Sequence, residues 1–248
     1  MDSTTLSPLE RPTLSAQVAR HILELVSRER LRPGDRVPSE VQIGRDLQVS
    51  RGSVREAYRT LAALGILEIE SGRKPRLRPI DSKVLAQVFD YALNTAQVDV
   101  AHVIETRRAI ELQTAQLAAR YATEAQRRKL RELVVQMRSA ATDHALRVAS
   151  DMAIHSVIAE ASGNPLNSLL LGALRSPVEA SHFDDNRSES ELIRVIDAHD
   201  AVVARICAGD PVGAASAMSY HFDISVLRVK RHDARTHIAN EHGAAPPP

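Results

Sequence analysis

The 248 residues are enough for one large or two modest domains, and with aromatics at 3 %, no Trp and prominent Ala, Leu, Arg and Glu they favour helices packed by aliphatic side chains over a β-sandwich. One cysteine, Cys207, excludes an intrachain disulfide, and no apolar run reaches the roughly 18 residues of a membrane span or follows a signal-peptide pattern, so a reducing cytoplasm and no membrane partner are expected. The net charge of +1 is unevenly divided: residues 1–80 hold 14 Lys+Arg against 10 Asp+Glu, and residues 81–248 hold 18 against 21, which makes the front the nucleic-acid candidate, although an ordinary solvated surface carries differences of this size.

Residues 1–12 carry Pro8 and Pro12 among Ser and Thr without an apolar period, and 234–248 end in Ala and Pro, so both ends are expected to be disordered tails. Between Leu14 and Arg28, Val18, Ile22, Leu25 and Val26 recur at helical spacing as one buried stripe. The turn residues Pro33-Gly34-Asp35 follow, and Ser39 with Gln42 three positions on has the pattern of a capping box opening a short helix to about Leu47. Ser50 caps a third helix from Arg51 to Leu64 that buries Val54, Tyr58 and Leu61 and turns Arg51, Arg55 and Arg59 the other way. Gly65 stops it; residues 66–70 alternate as a strand, Ser71-Gly72-Arg73-Lys74-Pro75 turns the chain, and 76–78 form a second strand. Three helices and a hairpin in this order describe a winged helix-turn-helix over residues 13–79.

Beyond Pro79 the periodicity predicts helices near 83–94, 98–121, 124–141, 144–162, 165–180, 187–208 and 211–233. The fold class is therefore mainly α, a winged head followed by a bundle of six or seven helices. Gly163-Asn164-Pro165 and Gly209-Asp210-Pro211 each place a stop, a cap and an N1 proline in the favoured order, so these two boundaries are the sharpest.

A helix in the major groove reads base edges from its N-terminal turn, where backbone N–H groups also meet phosphate. Ser50, Arg51, Gly52, Ser53 and Arg55 stand at that turn, with arginines shaped for guanine and a glycine that permits close approach. The hairpin offers Ser71, Gly72 and Arg73, followed by Lys74, Arg76 and Arg78, as a wing along the sugar-phosphate backbone. The plain alternative is a solvated face in which the arginines pair with Glu56 and neighbouring acids.

Pro38-Ser39-Glu40, the run Val49 to Ala57 and Leu64-Gly65-Ile66-Leu67 resemble the N-terminal domain of GntR-superfamily repressors over residues 14–79. The resemblance implies double-stranded operator DNA as partner and binding as a homodimer. Two departures bear on contacts: Val41 stands where some members carry a DNA-contacting Arg, and Gly72-Arg73-Lys74 replaces a Gly-x-Gly wing tip.

In the C-terminal half, Asp151 and His155 are four apart and share one helix face, about 6 Å apart in rise. His199 lies ten residues before Gly209 and His221 ten after Pro211, so an antiparallel hairpin would bring both imidazoles to one height, roughly 15 Å from the turn. One carboxylate and three imidazoles suit Zn²⁺ first, with Mn²⁺, Ni²⁺ or Co²⁺ also compatible. The other histidines, His21, His102, His144, His182, His232, His237 and His242, are assigned structural or surface roles.

Asp151-Met152-Ala153-Ile154-His155 with Ala161-Ser162-Gly163-Asn164-Pro165, then His199, Gly209-Asp210 and Met218-Ser219-Tyr220-His221, resemble the FCD ligand-sensing domain of the FadR subfamily, with Glu105 to Glu111 as its opening helix. The resemblance implies that Asp151, His155, His199 and His221 are the metal ligands, that a small carboxylate effector completes the shell, and that Arg107 faces it. For Arg107 a surface ion pair with Glu111 at i+4 is the competing reading. Ile154 and Ala198 depart from an aromatic and a Glu usual before the first and second His.

Together these readings give a winged head over 13–79, a linker and linking helix over 80–97 and a metal- and effector-binding domain over 98–233. The leading expectation is a dimeric, ligand-responsive repressor and not an enzyme. Two alternatives are an HD-type phosphohydrolase built on His199-Asp200 with His155 and Asp223, and a DNA-binding regulator whose ion is purely structural.

Overall fold

A computed structural model describes residues 12–140, 143–175 and 188–224. The chain divides into two compact units, one up to Val84 and one from Leu85.

In the first unit, α1 (Leu14–Arg28) starts at the Thr13 cap and buries Val18 and Ile22. Ser39 caps α2 (Glu40–Asp46), accepting from the Gln42 backbone N–H at 3.3 Å, so the expected capping box supplies its N-cap half. Ser50 caps α3 (Arg51–Ala63), which buries Val54, Ala57, Tyr58 and Leu61. This apolar face packs on α1 and α2 with Val37, Ile43, Leu67 and Leu77 to form the core, and the buried Tyr58 hydroxyl donates to the Pro38 carbonyl. α3 ends because Gly65 takes φ +70°, which lets its N–H reach the Ala62 carbonyl and the Ile66 N–H reach Leu61, a Schellman closure. The strands are shorter than the alternation predicts, with β1 (Leu67–Glu68) pairing antiparallel to β2 (Arg76–Leu77) and Leu67 opposite Leu77. Only this one cross-strand pair points into the core; beyond it the turn is closed by the Arg73 N–H to the Glu70 carbonyl, and the Pro75 carbonyl accepts from the Val37 N–H.

The second unit is helical throughout its described residues. α4 (Lys83–Asn94) begins at the division; α5 (Val100–Tyr121) opens with a capping box between Asp99 and His102, and α6 (Glu124–Ser139) with one between Thr123 and Gln126. α7 (His144–Ala161) is capped by Asp143, and α8 (Pro165–Ala173) by Asn164 ahead of an N1 proline. α9 (Glu189–Cys207) opens with a box between Ser188 and Glu191, and α10 occupies 211–224. Of the predicted helix over 165–180, α8 covers Pro165–Ala173, with Leu174 turned back to the Leu170 and Gly172 carbonyls as its C-cap, and residues 176–180 lie outside the described residues. Residues 176–187 and 225–248, with His182, His232, His237, His242 and the expected C-terminal tail, lie outside the described residues, as do residues 1–11.

Between α9 and α10, Gly209 at φ +67° repeats the Schellman closure: its N–H meets Ile206 O and the Asp210 N–H meets Arg205 O. The Asp210 carboxylate then accepts from the Gly213 N–H at 2.8 Å and caps α10. Ile196, Val202, Val203 and Ile206 of α9 and Ala214, Met218 and Phe222 of α10 enter one apolar core with Leu130, Leu133 and Val134 of α6 and Ile154 and Ile158 of α7. Each large side chain in it adds on the order of 1.5–3 kcal/mol relative to exposure, and that packing sets the heights at which polar residues on the same helices meet.

Candidate functional site

Within this apolar core the described residues hold one cluster of titratable side chains, contributed by α7, α9 and α10 and, through Arg107 and Glu111, by α5. Asp151 and His155 project from successive turns of α7, His199 from α9 and His221 from α10, and all four are buried. Ligand nitrogens of His155, His199 and His221 all lie within 4.8 Å of one another, so these three residues can hold a metal ion. The ring centroids of His199 and His221 are 4.2 Å apart, and His155 stands 5.5 and 5.1 Å from them. The hairpin symmetry about Gly209-Asp210-Pro211 does therefore level the last two rings. Asp151 Oδ1 lies 2.9 Å from His199 Nε2, and its Oδ2 lies 4.0 Å from His155 Nε2.

Hydrogen bonds on the far side of the His155 and His199 rings fix which of their nitrogens faces inward. His199 Nδ1 donates to the Val195 carbonyl one turn back, at 2.8 Å, which turns Nε2 and its lone pair toward Asp151. An imidazole lone pair and a carboxylate oxygen at 2.9 Å repel unless a proton or a cation lies between them. Burial is the largest influence on His199 and opposes a charge there, but the Asp151 carboxylate, the Val195 carbonyl and Glu111 together raise its pKa. For His221 burial comes first and the charges of His199 and His155 add to it, so its pKa falls well below the usual imidazole value and the neutral, ligating form is favoured. A buried set of three imidazoles and one carboxylate that share too few protons is the donor chemistry a divalent cation satisfies.

Arg107 is placed differently from the surface ion pair that its spacing with Glu111 offered. It is buried, its Nε donates to Glu111 Oε1 at 2.9 Å and its Nη2 lies 2.7 Å from the same oxygen, so the i+4 ion pair exists but in the interior of the domain. The other oxygen of Glu111 accepts from His155 Nδ1. Burial alone would raise the Glu111 pKa, but Arg107 and then His155 hold the carboxyl below its ordinary range. Glu111 is thus a buried contributor to the site that spacing assigned only to a surface pair.

In the first unit the exposed N-terminal turn of α3 presents Arg51 and Gly52, with Arg55 one turn on. Ser50 is held as the cap, its Oγ 3.2 Å from the Ser53 N–H and 2.9 Å from the Ser53 hydroxyl. Arg55 Nε stands 3.7 Å from Glu40 Oε2 across from α2, so Glu40 rather than Glu56 is its acidic neighbour, in an exposed pair that is weakly held. Ser71, Gly72 at φ +76° and Arg73 are exposed at the hairpin turn, where Arg73 pairs with Glu70. Arg76 and Arg78, which flank the hairpin turn, also make contacts within their own unit. Arg76 donates to the Gly34 carbonyl at 2.7 Å and Arg78 pairs with Asp81 at 3.1 Å, so both brace their own unit.

The acids an HD phosphohydrolase would need are turned away from the cluster. Asp200 is exposed and lies 3.3 Å from Arg138, while Asp223 pairs with Arg108 at 2.6 Å.

A helix-turn-helix head with a two-stranded hairpin, followed by an all-helical domain around a buried three-histidine cluster, defines a DNA-binding transcriptional regulator. Residues 14–74 match the bacterial regulatory proteins of the gntR family, and residues 102–224 match the FCD domain. The chain is 30 % identical over 205 residues to the HTH-type transcriptional regulator LutR of Bacillus subtilis (strain 168), covering 79 % of this chain and 92 % of that one. It is 29 % identical over 203 residues to the HTH-type transcriptional repressor NanR of Salmonella newport (strain SL254), covering 77 % and 78 %. The solved structure of Streptococcus agalactiae GntR superposes with a TM-score of 0.67 at 27 % identity, over 87 % of this chain and 99 % of that one. The protein belongs to the GntR family and carries an FCD domain; it is a transcriptional regulator and not an enzyme.

Proposed function

We propose that the protein is a repressor of the FadR subfamily that binds a palindromic operator as a homodimer and releases it in response to a small organic acid. The observation that carries this reading is the buried polar cluster of three imidazoles, the Asp151 carboxylate and, beside Glu111, the guanidinium of Arg107, in a domain joined to a winged helix-turn-helix head. Asp151, His155, His199 and His221 would hold a divalent ion, Zn²⁺ in first place and Mn²⁺, Ni²⁺ or Co²⁺ as alternatives. Such an ion would supply Lewis acidity and open coordination positions suited to a carboxylate oxygen. Arg107 has its Nη1 donors beyond the two nitrogens engaged with Glu111, and these would attract the effector's carboxylate.

On the DNA side, Ser50, Arg51, Gly52, Ser53 and Arg55 would enter the major groove, with Ser71, Gly72 and Arg73 along the backbone. Two such heads on a two-fold axis read an inverted repeat. The domain limits that go with this assignment are a head over 13–79, a connection over 80–97 and a sensor over 98–233. Effector and operator binding then oppose one another by the same free energy in either direction, because linkage is reciprocal.

Titration calorimetry of the zinc-loaded protein against small mono-, di- and hydroxycarboxylates, run beside operator binding by fluorescence anisotropy, tests the proposal. One acid that binds and weakens operator affinity by the same factor with which operator weakens the acid supports it. A flat response across the panel with operator affinity unchanged refutes sensing and leaves a structural ion.

A further inference from the structure

We propose that Glu111 is a positioning residue of the metal site, holding His155 in the one tautomer that can ligate a cation through Nε2. The inference rests on the metal-site reading above and extends it to a residue on a different helix from any of the four ligands.

Ionised Glu111 only accepts, and its two oxygens serve different partners: Oε1 accepts from Arg107 Nε at 2.9 Å with Nη2 2.7 Å away, while Oε2 faces His155 Nδ1. The hydrogen between Glu111 and His155 therefore sits on Nδ1, and in a neutral imidazole this leaves Nε2 bare. Nε2 is the nitrogen on the Asp151 side, 4.0 Å from Oδ2 and facing the same carboxylate as His199 Nε2. The contact joins residues 44 apart in sequence, from α5 to α7, and Glu111 is 1 % exposed, so water does not substitute for either partner. Arg107 keeps the Glu111 charge compensated, and removing it would leave a buried carboxylate with less reason to stay ionised.

The Glu111→Gln variant separates this role from plain packing, because it preserves shape and changes one acceptor into a donor. Arg107 donates from Nε at the Oε1 position and holds its Nη2 beside it, so the amide oxygen is required there and the NH₂ falls toward His155. An NH₂ that donates to Nδ1 drives the imidazole hydrogen to Nε2, where a ligand lone pair is needed.

The test uses the full chain. Zn²⁺ affinity is measured by competition with a chromophoric chelator for wild type and Glu111→Gln, and the ¹⁵N pattern of His155 is read in the chelator-stripped proteins above the ordinary imidazole pKa of about 6.5. The expected result is a roughly ten- to hundredfold loss of Zn²⁺ affinity in the variant, with the hydrogen on Nδ1 in wild type and on Nε2 in Glu111→Gln. Affinities within about twofold with the same tautomer in both overturn the proposal while leaving the metal site standing. A wild-type His155 carrying its hydrogen on Nε2 overturns it without any variant, which covers the case of a Glu111→Gln chain that fails to fold. A wild-type protein that takes up no Zn²⁺ overturns the metal reading and this inference together.

Discussion

Replacing His199 and His221 together by Ala removes two donors whose rings stand 4.2 Å apart in a region that is almost fully buried. Asp151 and His155 then remain alone, one carboxylate and one imidazole on adjacent turns, too few to enclose an ion. A ligand that binds the folded state alone stabilises it by about 4.1 kcal/mol when its free concentration is roughly a thousandfold above Kd. At about 2–4 °C per kcal/mol for a chain of this size, the metal-dependent rise in Tm is about 8–16 °C for wild type. The double variant should melt at one temperature whether zinc or chelator is present. Its two lost imidazoles also leave a cavity, but that cost enters both arms equally and cancels in the difference. Calorimetric or circular-dichroism melts of both proteins, each with excess Zn²⁺ and with chelator, measure the four temperatures. A double variant that keeps the wild-type increment, or the same metal content by elemental analysis, would show that the ion is held elsewhere.

Arg51→Ala or Arg55→Ala should weaken operator binding by about 1–3 kcal/mol and flatten discrimination against mutated sites, while the melting temperature stays close to wild type because both side chains are exposed. Footprints unchanged in both variants would remove α3 from the groove. Zinc affinity should fall as pH drops through neutrality, by about tenfold per pH unit for each proton displaced. The sign follows from His199: its raised pKa keeps it protonated to higher pH, and that proton must leave before Nε2 can ligate, whereas His221 is held neutral and adds no competition. In the metal-free protein the two histidines act on stability in opposite directions. The His199 contribution is complete below about 6.5 and lost as pH rises through its folded pKa, while the His221 contribution is present above about 6.5 and lost as pH falls. Chelator competition across that range measures the slope, and a pH-independent affinity would mean that the ligand nitrogens are already bare.

Most of the element order was readable because helices and caps are local. Thr13, Ser39, Ser50, Asn164 and the two glycine stops at Gly65 and Gly209 act within one turn of their own position, and each boundary they set falls within two residues of its expected place. The strands were harder. Alternation over 66–70 signals extended chain, but ladder length depends on what the partner offers, and only residues 67 and 68 find one in β2. The same distinction governs the C-terminal cluster. Asp151 with His155, and His199 with His221 about a turn, meet through geometry internal to one helix or one hairpin. That the two pairs face each other depends on how α7 packs against α9 and α10, which no spacing reports.

The burial of Arg107 and Glu111, by contrast, left a signal in the sequence. An i+4 pair of opposite charges has the same spacing on a solvated helix as in a core, so the pair alone cannot distinguish them. Its flanks can: Ile104, Arg107, Glu111, Ala115 and Ala118 are separated by three, four, four and three residues, one continuous stripe whose other members are apolar, and all five are buried. Two charges in the middle of an apolar stripe either expose that stripe to water or bring their partners inside with them. Here they bring His155, so the interruption in α5 marks the height at which α7 must carry a polar group. Glu111 is therefore the residue from which the depth of the site in the bundle could have been read before any coordinate.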